Sequence, residues 1–124
     1  MKSFDTKKIA VVIVGHGSKL RGFDAALRRV AAAVRKDKRF FSVRCAYLAI
    51  NSPSIREAIR RSALAGAAEV RVLPYFLLSG KHVTRHIPQI VSASKKNFPD
   101  IKISLRPYLG YDDRIVSVVK KRIA

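Results

Sequence analysis

An α/β fold, a four-stranded parallel sheet flanked by helices in a three-layer sandwich, is predicted by three features of the chain. Strand-like apolar runs alternate four times with helix-like stretches, the connections between them are short, and no low-complexity linker interrupts them. The 124 residues, 48% of them apolar, suit a single domain over 1–124, since single domains typically span roughly 100–150 residues.

The first strand is the run KIAVVIV, residues 8–14, stopped by Gly15-His16-Gly17-Ser18. Phe23, Ala26, Leu27, Val30, Ala33 and Val34 then recur at the three-and-four spacing of an amphipathic helix, which predicts one over 21–36. The second strand is read as Ser42 to Ile50. Asn51-Ser52-Pro53-Ser54 offers a polar cap with a proline at or near the first turn, opening a helix that carries Ile55, Ala58, Ile59 and Leu64 to Gly66. A third strand covers 69–76. Pro88 disfavours helical geometry at Ile87 and suits a first turn, so the third helix is placed from Pro88 to the Phe98-Pro99-Asp100 stop. Ile101 to Arg106 is the fourth strand, and 112–123 closes the chain as a helix.

Lys and Arg number 26 against 8 Asp and Glu, a formal net charge of +18. So positive a body attracts polyanions. The basic residues are scattered over every segment and are not interleaved with aromatic side chains, which argues against a nucleic-acid-binding surface and for solvated helix faces. The apolar runs fall far short of the roughly 20 residues of a membrane span, and the N-terminus shows no signal-peptide pattern, so a cytoplasmic protein is expected. Cys45 stands alone, which excludes an intrachain disulfide, and it reads as a small core hydrophobe.

Two of the three histidines follow strands: His16 after the first, and His82 after the third within Ser79-Gly80-Lys81-His82. In open parallel sheets, ligands bind beyond the carboxyl ends of the strands where the connections change direction. If the strand order is 2-1-3-4, His16 and His82 face one crevice. Gly15-His16-Gly17 is followed by glycine only at Gly22, which does not match a dinucleotide fingerprint, and no lysine-serine pair completes a phosphate loop; no nucleotide is expected. Ser18 is read as a cap of the first helix or a contact to an anionic group. A two-imidazole site suits cobalt, nickel, iron or zinc in an open, labile arrangement, unlike a closed structural site. His86, four residues beyond His82, is left open among a third ligand, a proton carrier and a residue lining the site.

At these residues the chain resembles the small sirohydrochlorin chelatases of the CbiX/SirB type, ATP-independent class II tetrapyrrole chelatases. The likeness is carried in order by Val14-Gly15-His16-Gly17-Ser18, by Ala46-Tyr47-Leu48 with Asn51-Ser52-Pro53-Ser54-Ile55, by Val72 to Val83, by Ile87-Pro88 and by Pro107-Tyr108-Leu109-Gly110. The resemblance implies a chelatase-type sandwich that pairs as a homodimer, with His16 and His82 as metal-binding and catalytic residues. It implies as substrates the polycarboxylate macrocycle sirohydrochlorin and a divalent cobalt, nickel or iron ion, in cobalamin, siroheme or F430 formation. Ser18, Lys19, Arg21, Ser79, Gly80, Lys81 and Arg85 are then expected to seat the macrocycle's carboxylates over an apolar wall of Tyr75, Phe76 and Leu77. A tetrapyrrole or metal carrier of the same fold is the alternative. Family members often have acidic residues where Ala49 and His86 stand and near Ser52, which leaves the collection of the pyrrole protons open among His86, a ligand histidine and bound water.

Overall fold

The computed structural model describes residues 8–124; the N-terminal stretch read above for a targeting pattern lies largely outside them. The elements run β1 (Ile9–Gly15), α1 (Ala25–Arg35), β2 (Phe40–Tyr47), α2 (Ile55–Leu64), β3 (Glu69–Pro74), a π-helical turn (His82–His86), α3 (Ile87–Asn97), β4 (Lys102–Leu105) and α4 (Asp113–Ile123). All strand pairs are parallel and the order is β2-β1-β3-β4, the arrangement that makes β1 and β3 neighbours. No described helix is long and apolar enough to cross a membrane.

β1 is buried on both faces, which is why it reads as a continuous apolar run. Alternate residues separate into two cores. Ala10, Val12 and Val14 pack with Ala58 and Ile59 of α2 and Ile87 and Val91 of α3, whereas Val11 and Ile13 pack with Leu27 and Ala31 of α1. Ile87 is fully buried. Burying an isoleucine contributes roughly 1.5–3 kcal/mol, so the residue beside His86 fixes that end of the π turn in place.

Several boundaries differ from those expected, each for a backbone reason. Helix α1 begins at Ala25 and not near 21, because Gly22 has φ +78 and a turn bonds Phe23 N–H to Leu20 O. Ser18 therefore stands too far from α1 to cap it, and its hydroxyl accepts the Leu20 N–H at 3.0 Å instead. β2 starts earlier and ends at Tyr47, since beyond Leu48 and Ala49 the chain enters a tight turn at Ile50 (φ +72). The polar cap and the proline near the first turn are as expected: Pro53 immediately precedes the N-cap Ser54, whose hydroxyl accepts Glu57 N–H at 3.1 Å. Helix continues upstream of Pro88 as the π turn, whose last bond runs from Ile87 N–H to His82 O. Pro88 has no N–H to give Thr84 and its ring crowds that carbonyl, so the preceding turn widens instead of closing as α.

The first turn of α1 is tied to the sheet by Tyr47, whose hydroxyl donates to the Asp24 carboxylate, which also takes Arg28 Nε–H at 3.1 Å. The Tyr47 bond and the guanidinium hold Asp24 below its ordinary range. Burial, with the carboxylate beside it, pushes the Tyr47 phenol up to about 12. A phenol raised in the folded state contributes stability in full below its unfolded value near 10, and that contribution disappears as the pH rises toward 12. The urea midpoint should accordingly fall between pH 10 and 12, and Tyr47→Phe, less stable than the parent at neutral pH, should fall by less over the same interval. Equal pH dependence in the two proteins would contradict this role for Tyr47.

Candidate active site

His16 leaves the end of β1 in a loop held by the chain that follows β2. Leu48 N–H donates to Gly15 O and Ala49 N–H to His16 O, each at 3.1 Å, and Ser18 N–H donates to Asn51 Oδ1 at 2.7 Å. Between them sits Gly17, with φ +107. A Cβ at that position would stand 1.9 Å from Ala49 O, so both the backbone conformation and the space demand glycine. The strap is itself strained. Asn51 N–H closes back on Ala49 O at 2.7 Å around Ile50, a β-branched and exposed residue in the left-handed region.

His82 arrives from the other side. Tyr75 N–H continues the β3 ladder onto Val14 O at 2.8 Å, after which the chain runs through Ser79-Gly80-Lys81 into the π turn. The two imidazoles meet over the β1–β3 junction with Nε2 atoms 3.1 Å apart and rings edge to face, centroids 4.8 Å apart. His86 joins from the same π turn, its Nδ1 2.9 Å from His82 Nδ1 and its ring 5.0 Å away. The wider turn brings side chains four apart closer to superposition than an α turn does. His16 is exposed, while His82 and His86 are half-buried.

The three rings form a row and not a cup. His82 turns one nitrogen to each neighbour, so His86 faces the back of His82 and not the point between the two Nε2 atoms. Among the described residues no group of three or more His, Cys, Asp or Glu is placed to hold a metal ion. What the row offers is two facing nitrogens, one on an exposed ring and one on a half-buried ring, a donor set unlike that of a closed structural metal site.

Lys19, Arg21, Lys81 and Arg85 are exposed on the two loops that carry His16 and His82, with no ion pair among the described residues. Elsewhere the acids are engaged locally: Asp24 with Arg28, Asp37 with Arg39, Glu57 with Arg60 and Arg61, Glu69 with Arg71, and Asp112 with Arg114. The cations by the histidines are left to solvent or an anionic ligand. Tyr75 and Phe76 do not make one wall with Leu77. Successive residues of an extended segment point to opposite faces, so Tyr75 packs on the α1-side core and Phe76 on the opposite core, while Leu77 is exposed toward α4. Cys45 is half-buried against the α1-side core, as expected of a small hydrophobe, and burial pushes its thiol up. Asn51, which pins the His16 loop, carries in the sequence only the signal of a helix cap; its spacing gives none of the longer reach to Ser18.

The fold is that of a chelatase-type α/β domain. The crystal structure of the sirohydrochlorin chelatase SirB from Bacillus subtilis subspecies spizizenii in complex with cobalt superposes with a TM-score of 0.86 at 24% identity, over 94% of this chain and 50% of that one. The CbiX family model matches residues 10–124, and the chain belongs to that family. It is 30% identical over 125 residues to the sirohydrochlorin cobaltochelatase of Methanosarcina acetivorans, covering 95% of this chain and 96% of that protein. It is 28% identical over 119 residues to the sirohydrochlorin ferrochelatase of Bacillus subtilis, covering 94% of this chain and 44% of that longer protein.

Two glycines separate the contributions to the His16 loop. Gly22→Ala, with nothing within 4 Å of the new Cβ, should cost about 1–2 kcal/mol for the left-handed backbone alone. Gly17→Ala should cost roughly 1–3 kcal/mol more, because Ala49 O must move. Chemical denaturation measures both, and equal losses would show that the strap does not press on the His16 loop.

Proposed function

We propose that this chain inserts a divalent metal ion, cobalt, nickel or iron, into sirohydrochlorin without nucleotide. The observation that carries the reading is the pair of Nε2 atoms 3.1 Å apart beyond adjacent parallel strands, in a chain of the CbiX family. Names of the relatives agree: they are cobaltochelatases and ferrochelatases of sirohydrochlorin.

The metal is a substrate. Neutral imidazoles at His16 and His82 hold it at two positions, leaving the rest of its coordination sphere to solvent and then to the incoming ring. Lys19, Arg21, Lys81 and Arg85 seat the macrocycle's carboxylates, the arginines by forked contacts, with Ser18, Ser79 and Gly80 on the same loops. Two pyrrole N–H protons leave as the metal enters the ring, taken by water or by a site imidazole, because no carboxylate bonds to any of the three histidines among the described residues.

Insertion is followed by the change in tetrapyrrole absorbance. Removing a metal contact worth several kcal/mol lowers the rate by about 100-fold or more, so His16→Ala and His82→Ala should each fall that far. Full activity in both variants would overturn the assignment. Lys81→Ala and Arg85→Ala should raise KM with kcat little changed, the mark of binding shared by ground and transition states. Tight binding of sirohydrochlorin by the parent chain with no metal-dependent turnover would select a carrier instead.

Pairing of two copies belongs to the same reading. Helix α4 buries no residue of its own, exposing Val118, Val119 and Ile123, and the sheet face beside α1 is open at Leu73 and Pro107. Two uncovered apolar faces on one chain support an exchange between copies. Sedimentation equilibrium should give twice the chain mass of 13.8 kDa, and a monomer at every working concentration would refute the dimer.

A further inference from the structure

His82 has no spare nitrogen: Nε2 lies 3.1 Å from His16 and Nδ1 lies 2.9 Å from His86. A neutral imidazole carries one N–H and one lone pair, so the position of the proton on one nitrogen decides what the other offers. For Nε2 to hold a metal, the proton must sit on Nδ1. In a half-buried ring that Nδ1–H needs an acceptor, since an unmet donor costs free energy and the ring gains by turning or changing tautomer. His86 Nδ1 is at the distance of a good hydrogen bond from it.

We propose that His86 is a positioning residue for metal capture: its Nδ1 accepts the His82 Nδ1–H and so keeps the His82 Nε2 lone pair directed at His16, while His86 itself does not ligate the ion. The inference rests on the reading of His16 and His82 as the metal-binding pair. It also gives the two ligands matching support. His16 Nδ1 lies 3.2 Å from Gly17 O, so both rings have an acceptor at Nδ1, one from the backbone and one from His86, and both can turn the Nε2 lone pair to an ion that enters between them. Ligand histidines are commonly fixed in this manner through their second nitrogen. The π turn is what makes it available, because it stacks residues 82 and 86, and the buried Ile87 anchors it.

Titration with Co2+ alone, read by the visible absorption of the bound ion, tests the role without requiring turnover. His86→Leu keeps bulk but removes the acceptor, and His86→Asn places an amide oxygen near the position of the lost Nδ1. Loss of a supporting hydrogen bond of this kind typically weakens metal binding about 10–100-fold, so His86→Leu should bind Co2+ that much more weakly while the saturated spectrum keeps its shape. His86→Asn should return the affinity to within about threefold of the parent. Parent affinity in His86→Leu, no recovery in His86→Asn, or a saturated spectrum altered as by a lost ligand would each overturn the proposal. Circular dichroism checks folding; should the leucine variant not fold, His86→Ala against His86→Asn makes the same comparison. His16→Ala and His82→Ala separate the levels. If both bind Co2+ like the parent, the metal pair itself fails; if both lose binding while His86→Leu does not, only the positioning role fails.

Discussion

The parallel ladder between β1 and β3 sets the geometry on which the site depends. It brings two carboxyl ends side by side, and each strand then releases a loop that carries one histidine. The ladder runs from Ile9–Glu69 to Val14–Pro74 and is extended by Tyr75 N–H on Val14 O, so the loops start from a rigid edge. Burial of alternate β1 residues in two separate cores fixes its register, because a shift by one would exchange the cores.

Around that edge the protein concentrates its unusual backbone. Gly17 is pressed against Ala49, Ile50 is held in the left-handed region, and a π turn replaces α geometry ahead of Pro88. Each costs conformational freedom or strain, and each is held by hydrogen bonds to a neighbouring loop or by a buried side chain. The return is a row of three imidazoles with defined nitrogen-to-nitrogen contacts. The proposed ion delivery gains from this, since rings already oriented lose little freedom on capture, while the exposure of His16 permits release.

How much of this was legible depends on what kind of signal a feature leaves. Alternating runs and short connections made the parallel α/β sheet legible, whereas the order 2-1-3-4, and with it the meeting of His16 and His82, stood in the sequence only as a condition that the fold then meets. The departures fall at Gly22, Ile50 and Pro88, where a single backbone angle or a missing N–H decides the outcome and side-chain periodicity says nothing. The expected single wall of Tyr75, Phe76 and Leu77 fails on the two-residue period of extended chain, which puts Tyr75 and Phe76 on opposite faces. The bond from Ser18 to Asn51 and the orientation of His86 behind His82 required coordinates, because both join residues whose types fit several local roles. The positive charge was legible as an affinity for anions; local ion pairs occupy most acids, and the cations beside the two histidines are among the many described Lys and Arg, spread over the chain, that have no ion pair.

In the proposed metal capture, two imidazole nitrogens receive the ion, those of His16 and His82 and no others. X-ray absorption spectroscopy on the Co2+-loaded chain, with His86→Asn in parallel, counts imidazole ligands directly. Two imidazoles with oxygen completing the shell, unchanged in the variant, is the expected result. Three imidazoles in the parent falling to two in His86→Asn, or a shell of oxygen alone, would contradict it.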